Sequence, residues 1–147
     1  MKQQVKIKKL NDKAILPTYG STYSAGADLY ACMDETVTIQ PGETVLVKTG
    51  LAMAIPEGYA GLIYARSGLA TKKGLAPANK VGVVDADYRG EVMVPLHNHS
   101  RMAVDVEHGE RIAQMVITPF LTAEYMLTDE LNETERGEGG FGSTGTK

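Results

Sequence analysis

Short stretches of this chain alternate apolar and polar residues, and turn-forming residues separate them every few positions. The runs Val5 to Leu10, Thr36 to Ile39, Thr44 to Ile55, Tyr59 to Tyr64, Val92 to Leu96 and Arg111 to Pro119 alternate or stay continuously apolar over strand lengths. Residues two apart share a face of a strand, so such runs predict β-strands buried on one or both sides. Gln40-Pro41-Gly42-Glu43 and Ile55-Pro56-Glu57-Gly58 supply turn chemistry between them. This spacing predicts an all-β sandwich or jelly roll. Helix is expected only around Leu69 to Leu75, with Ser67 as its N-cap. From Asn132 onward glycine and charge replace apolar residues, which predicts a single domain over 1–131 and a mobile arm over 132–147.

Composition narrows the class. A length of 147 residues suits one domain with a real core. The formal charge of −3 gives no electrostatic basis for general nucleic-acid or acidic-membrane binding. No apolar stretch is long enough to span a bilayer, and Met1 to Leu10 alternates basic and apolar residues, unlike a signal peptide. The single cysteine, Cys32, allows no internal disulfide and reads as a buried, inert thiol between Ala31 and Met33. A cytoplasmic location is expected.

Chemistry concentrates in five segments. Asn79-Lys-Val-Gly-Val-Val-Asp-Ala-Asp-Tyr-Arg-Gly90 packs a turn, an apolar strand end, two carboxylates and an aromatic ring into one stretch. Gly82 and Gly90 are expected to bracket a hairpin whose backbone reads a planar base edge. Asp85 and Asp87 would share one face of a strand, with Tyr88 across a turn. An ionised aspartate beside a phosphorus atom orients a water and accepts its proton, whereas Asp-x-Asp alone also suits a solvated turn. Arg66-Ser67-Gly68 stands where a strand runs into a helix, a junction whose free N–H groups and forked guanidinium suit phosphate oxygens. Asp28, in the small apolar strand Ser24 to Ala31, needs a partner, and either a buried arginine or a hydrated metal would serve. Gln114 would donate to phosphate or pair with neighbouring backbone.

The C-terminal stretch Arg136-Gly-Glu-Gly-Gly-Phe-Gly-Ser-Thr-Gly145 spells G-x-G-x-x-G without the βαβ setting of a dinucleotide site. Phe141 is costly to leave wet and suits stacking on a base, while Arg136, Ser143 and Thr144 suit terminal phosphates. His97-Asn98-His99 has no cysteine or carboxylate cluster beside it, which argues against a metal site there. The sequons at Asn98 and Asn132 come with no sign of secretion.

Taken in order, Ala25 to Ala31, Arg66 to Ala70, Asn79 to Gly90, Gly109 to Gln114 and Arg136 to Gly145 resemble the five motifs of the trimeric deoxyuridine triphosphatase family. The resemblance implies a homotrimeric, distorted jelly roll of β-clip type that converts dUTP and water to dUMP and pyrophosphate. Such an activity limits uracil in DNA and supplies dUMP for dTMP synthesis. It further implies Asp85 as the catalytic carboxylate, and Asn79, Val83 and Val84 around uracil, with Met93 on a facing hairpin strand. Tyr88 would lie under the sugar. Arg66, Ser67 and Gly68 of a neighbouring subunit, with Gln114, would bind phosphates. Asp28 would hold Mg²⁺ through water, and Arg136, Phe141, Gly142, Ser143 and Thr144 would form a lid from yet another subunit. Ala65 departs from the proline that the family often carries there. A dCTP deaminase is the nearest alternative, but it needs a carboxylate where this chain has Met93-Val94-Pro95. A non-catalytic nucleotide-binding or regulatory β protein is the other.

Overall fold

The alternating runs fold as antiparallel strands in the computed structural model, which describes residues 1–146. In chain order these are β1 (Lys6–Lys9), β2 (Thr18–Tyr19), β3 (Ala27–Tyr30), β4 (Val37–Ile39), β5 (Thr44–Ala54) and β6 (Tyr59–Tyr64). β7 (Leu75–Pro77), β8 (Gly82–Val84), β9 (Glu91–Asn98), β10 (Val104–Val106) and β11 (Arg111–Pro119) follow. One sheet has the order β1-β5-β9-β7, a second β2-β3-β11-β6-β8, and β4 pairs with β10.

Alternation sets which side of each strand meets the core. Along β9, Val92, Val94, Leu96 and Asn98 are buried, while Glu91, Met93, Pro95 and His97 are only partly covered. Val47, Val94 and Leu96 from the first large sheet join Leu29, Ile63 and Met115 from the second in one buried cluster. The two sheets therefore enclose a single core, as expected of a β sandwich. The strands missed in the sequence are the short ones, β2, β7 and β10, too brief to show a period.

Three local expectations are corrected. β8 pairs with β6, while β9 lies in the other sheet between β5 and β7, so Gly82 and Gly90 do not bracket a two-stranded hairpin. The segment between them crosses from one sheet to the other. Asp85 follows the last residue of β8, and the Tyr88 amide closes a turn by donating to the Asp85 carbonyl at 3.1 Å. Asp85 and Asp87 thus do not share a strand face. The helix is a single π-helical turn, Leu69–Lys73, with no side-chain cap at its start. Ser67 contributes its carbonyl to the Thr71 hydroxyl at 2.6 Å rather than an N-cap. Gly74, in the left-handed region at φ 70°, ends the turn, and buried Leu75 begins β7.

The buried polar side chains, Thr49 and Asn98, are both hydrogen-bonded. The Asn98 amide donates at 2.8 Å to the carbonyls of Ile39 and Met102 and accepts from Ser100. It ties β9 to β4 and to the loop beyond, so the His-Asn-His stretch is structural at its centre. His97 Nδ1 meets the Thr44 hydroxyl at 2.8 Å across the β5–β9 pair. Beyond β11 the chain leaves the sheets. Phe120 donates to the Gly58 carbonyl, and residues 121–138 are exposed throughout.

Candidate active site

The strand register brings together Asp28, Arg66 and Gln114, which lie far apart in the sequence. Gln114 on β11 stands opposite Asp28 of β3 on one side and Tyr64 of β6 on the other. Arg66 continues from the end of β6, so its side chain reaches the same place. Arg66 Nε donates to Asp28 Oδ1 at 2.9 Å, and the Arg111 guanidinium lies 3.8 Å from Oδ2. Arg111 also sits over the Tyr30 ring, 5.9 Å from its centroid. Of the two partners foreseen for Asp28, the structure supplies arginine. Arg111 itself went unnoticed in the sequence, because nothing local marks the first residue of β11 as opposite Tyr30.

The Gln114 amide donates to the Ala65 carbonyl at 2.9 Å. This fixes the strand end that leads into Arg66-Ser67-Gly68. Arg66, Ser67 and Gln114 line an open cavity of about 400 Å³ with Gly20, Ser24 and Tyr64. Its surroundings offer guanidinium, amide and hydroxyl donors with one carboxylate, a set suited to phosphate oxygens. Ser67 and Gly68 are both exposed, and a Cβ built at Gly68 would meet nothing.

A second group of residues forms elsewhere on the chain. β8 is the outermost strand of its sheet and is hydrogen-bonded on one side only, to β6. An edge strand leaves alternate N–H and C=O groups free on its other side, which is what backbone reading of a base edge requires. Val83 points outward at 62% exposure while Val84 packs into the core at 8%, so only their backbones share the edge. Asn79 lies in the turn before β8, exposed, beside Lys80 at φ 66°. Asp85, also exposed, ends the edge.

Tyr88 folds back along its own chain. Its hydroxyl donates to the Glu91 carbonyl at 2.8 Å, and a Cβ at Gly90 would collide with the phenolic oxygen. Only glycine at position 90 leaves room for the ring there. Met93 lies on β9, half-covered, opposite Lys48 of β5 rather than opposite β8.

These two groups sit at opposite ends of one strand pair. Gly61 stands opposite Val84, so Asp85 lies near the start of β6, whereas Arg66 follows its end. At about 3.3 Å per residue, the two are roughly 20 Å apart. Within one chain Asp85 and Arg66 therefore stand apart. The third group, the glycine-rich tail, touches neither. Arg136 Nε donates to the Gly139 carbonyl at 2.7 Å, and Phe141 is fully exposed, with Gly142, Ser143 and Thr144 beyond it.

No three acidic, histidine or cysteine side chains among the described residues form a metal cluster. Mg²⁺ ordinarily binds through one or two carboxylates plus substrate phosphates and keeps several waters. Asp28, a single hard oxygen donor on the rim of a phosphate-type cavity, fits that mode. Its oxygens already face two guanidiniums, which favours contact through water over direct ligation.

The sequence matches the dUTPase family profile over residues 12–145. It is 49% identical over 146 residues to a deoxyuridine 5'-triphosphate nucleotidohydrolase of Burkholderia cenocepacia (strain HI2424), covering 99% of each chain. The fold superposes on the dUTPase of Staphylococcus bacteriophage 80alpha in complex with dUPNHPP at a TM-score of 0.89, with 32% identity, 99% of this chain and 100% of that one covered. A point-mutant dUTPase from phage phi11 of S. aureus, whose structure reveals the coordination of a structural Mg(II) ion, matches at 0.80 and 26% identity, over 89% of this chain and 100% of that one. With its motifs in order and the family's fold around them, this chain belongs to the dUTPase family.

Proposed function

We propose that this chain hydrolyses dUTP to dUMP and pyrophosphate at sites shared between the subunits of a homotrimer. The observation that carries this reading is Asp85 at the end of a free strand edge, directly after backbone groups suited to a base. A uracil laid along β8 pairs with free backbone groups near Asn79, Val83 and Val84. A 5-methyl group meets that edge, and one methyl alone is worth about 1–3 kcal/mol unless the backbone is held rigid. The Tyr88 ring packs beneath the deoxyribose and leaves no room for a 2′-hydroxyl. Asp85 then orients a water and takes its proton as the water oxygen bonds to the α-phosphorus. The bond from that phosphorus to the bridging oxygen breaks, and pyrophosphate leaves.

Arg66, the Ser67 and Gly68 amides and Gln114 hold the phosphates, with charge-assisted bonds that strengthen as the leaving group gains charge. When bound, Mg²⁺ neutralises triphosphate oxygens, and Asp28 holds it through water. The tail, residues 132–147, orders over the nucleotide. Phe141 covers the base and Arg136, Ser143 and Thr144 grip phosphates, excluding bulk water.

The separation between Asp85 and Arg66 supports sharing between subunits, since the base of one chain then works with the phosphate donors of the next. The exposed apolar residues that follow β11 support it too. Leu121, Tyr125, Leu127 and Leu131 are each at least 86% exposed in the isolated chain, a pattern that calls for burial on another surface. No helix among the described residues is long and apolar enough to cross a membrane. We place the activity in the cytoplasm, where the lone thiol of Cys32 stays reduced.

A deaminase reading finds no support on β9. Met93-Val94-Pro95 fills the stretch where that chemistry needs a carboxylate, and the Glu91 carboxylate is engaged by the Gly50 amide. Incubation with Mg²⁺ and dUTP tests the proposal. Appearance of dUMP with equimolar pyrophosphate supports it, and orthophosphate release or no turnover overturns it.

A further inference from the structure

β5 carries an irregularity beside the crossing segment, and Glu91 is the side chain that closes it. Lys48 pairs with Met93 and Ala52 with Glu91, so Thr49, Gly50 and Leu51 have only one residue of β9, Val92, to face them. The ladder leaves amides there without strand partners, and Gly50 is buried. Glu91 Oε2 accepts the Gly50 N–H at 2.9 Å, and the Thr49 hydroxyl donates to the Val92 carbonyl at 2.6 Å. Gly50 has φ 70°, and a Cβ there would come within 2.9 Å of both Ala14 and Cys32. The bulge is thus fixed by its surroundings and serves as a rigid anchor.

The same residue meets Tyr88 through its backbone, for the Glu91 carbonyl accepts the phenolic hydroxyl at 2.8 Å. Glu91 therefore links the bulge to the aromatic ring in two bonds. The other side-chain bonds of the crossing segment, from Arg89 to the Ala86 and Tyr88 carbonyls, are exposed and local and tie it to nothing else.

We infer that Glu91 is a positioning residue whose bond to the β5 bulge sets the Tyr88 ring and so governs selection of deoxyribose over ribose. This rests on the dUTP reading and names the part of that site which decides its sugar specificity. With the Glu91 carboxylate gone, the start of β9 loses its hold on Gly50. The Glu91 carbonyl then drifts, and the ring no longer closes the space beside the 2′ carbon.

The test compares kcat and KM for dUTP and UTP in the wild type, Glu91→Ala, Glu91→Gln and Tyr88→Phe. Glu91→Ala is expected to lower the dUTP-to-UTP ratio of kcat/KM by about tenfold, mainly through a better UTP KM. Glu91→Gln keeps an acceptor oxygen for Gly50 and should restore most of the ratio. Tyr88→Phe cuts the link at its other end and should lower the ratio as Glu91→Ala does, with little further loss in the double variant. A ratio unchanged in Glu91→Ala, or in Tyr88→Phe should Glu91→Ala not fold, overturns the inference. A purely structural role would lower the melting temperature and leave the ratio alone. A wild type that ignores dUTP defeats the substrate reading itself, whereas a selective wild type with a selective Glu91→Ala defeats only the positioning role.

Discussion

Asp28 accepts a bond from Arg66 at 2.9 Å and faces Arg111 at 3.8 Å, so one carboxylate organises two cations beside the cavity that Arg66, Ser67 and Gln114 line. The pair links β3 to the segment after β6, at a side-chain exposure of 14% for Asp28 and 29% for Arg66. On the proposed reading a triphosphate entering the cavity would compete for Arg66, and Asp28, released from that pair, would hold Mg²⁺ through water. Asp28→Asn should therefore keep the fold and raise the Mg²⁺ concentration needed for half-maximal activity by about tenfold or more. A magnesium titration at saturating dUTP checks this, and an unchanged midpoint would place Asp28 outside metal binding.

Asp85→Asn preserves shape while removing the base. Turnover is expected to fall by about 10²–10⁴, the usual worth of a positioned general base. Affinity for a non-hydrolysable analogue should stay near wild type in calorimetry. Near-normal hydrolysis by this variant would mean that another group activates the water.

Sharing between subunits makes a prediction that no single-chain site permits. Asp85→Asn and Arg66→Ala homotrimers should each be nearly inactive. When equal amounts are unfolded together and refolded, about one quarter of the sites combine an intact Asp85 with an intact Arg66. Activity recovered in the mixture checks this. Recovery of none would assign both residues to one chain's site.

Most of the strands were legible because each alternates or stays apolar over enough residues to declare a period, as β5, β6 and β11 do. The hairpin expected between Gly82 and Gly90 was not realised. Register depends on which strands pair, and β8 finds β6 while β9 finds β5, a long-range choice that two flanking glycines do not encode. Ser67 looked like an N-cap, yet the helical turn it precedes lasts only from Leu69 to Lys73 before Gly74 ends it. Among site residues, types and order were readable in the motifs. The Arg111 contact with Asp28 and the Glu91 contact with Gly50 were not, since each arises from tertiary pairing across strands.

Deleting the chain after Glu135 removes Arg136, Phe141 and the hydroxyls beyond them, none of which packs against the sheets. Thermal stability should hold while most dUTP turnover disappears. Unchanged kinetics in the truncated protein would make the tail a spectator.

Cys32 is buried, and its thiol is pushed up from the ordinary range by desolvation, with the Glu91 and Asp34 carboxylates adding to the effect. The folded state thus holds this proton more tightly than the unfolded chain. Its contribution to stability is complete below the unfolded thiol pKa of roughly 8.5 and is lost as pH rises through the higher folded value. Denaturant melts from pH 7 to 10 should fall more steeply for the wild type than for Cys32→Ala. Parallel slopes would show that the thiol titrates alike in both states.

The central claim is hydrolysis of dUTP with selection of both base and sugar. The most direct measurement incubates the purified protein with Mg²⁺ and, separately, dUTP, dCTP, dTTP and UTP, and quantifies nucleotide products and pyrophosphate. The account predicts dUMP and pyrophosphate from dUTP, with the other three nucleotides left largely intact. Ammonia from dCTP, or no turnover of any of them, would contradict it.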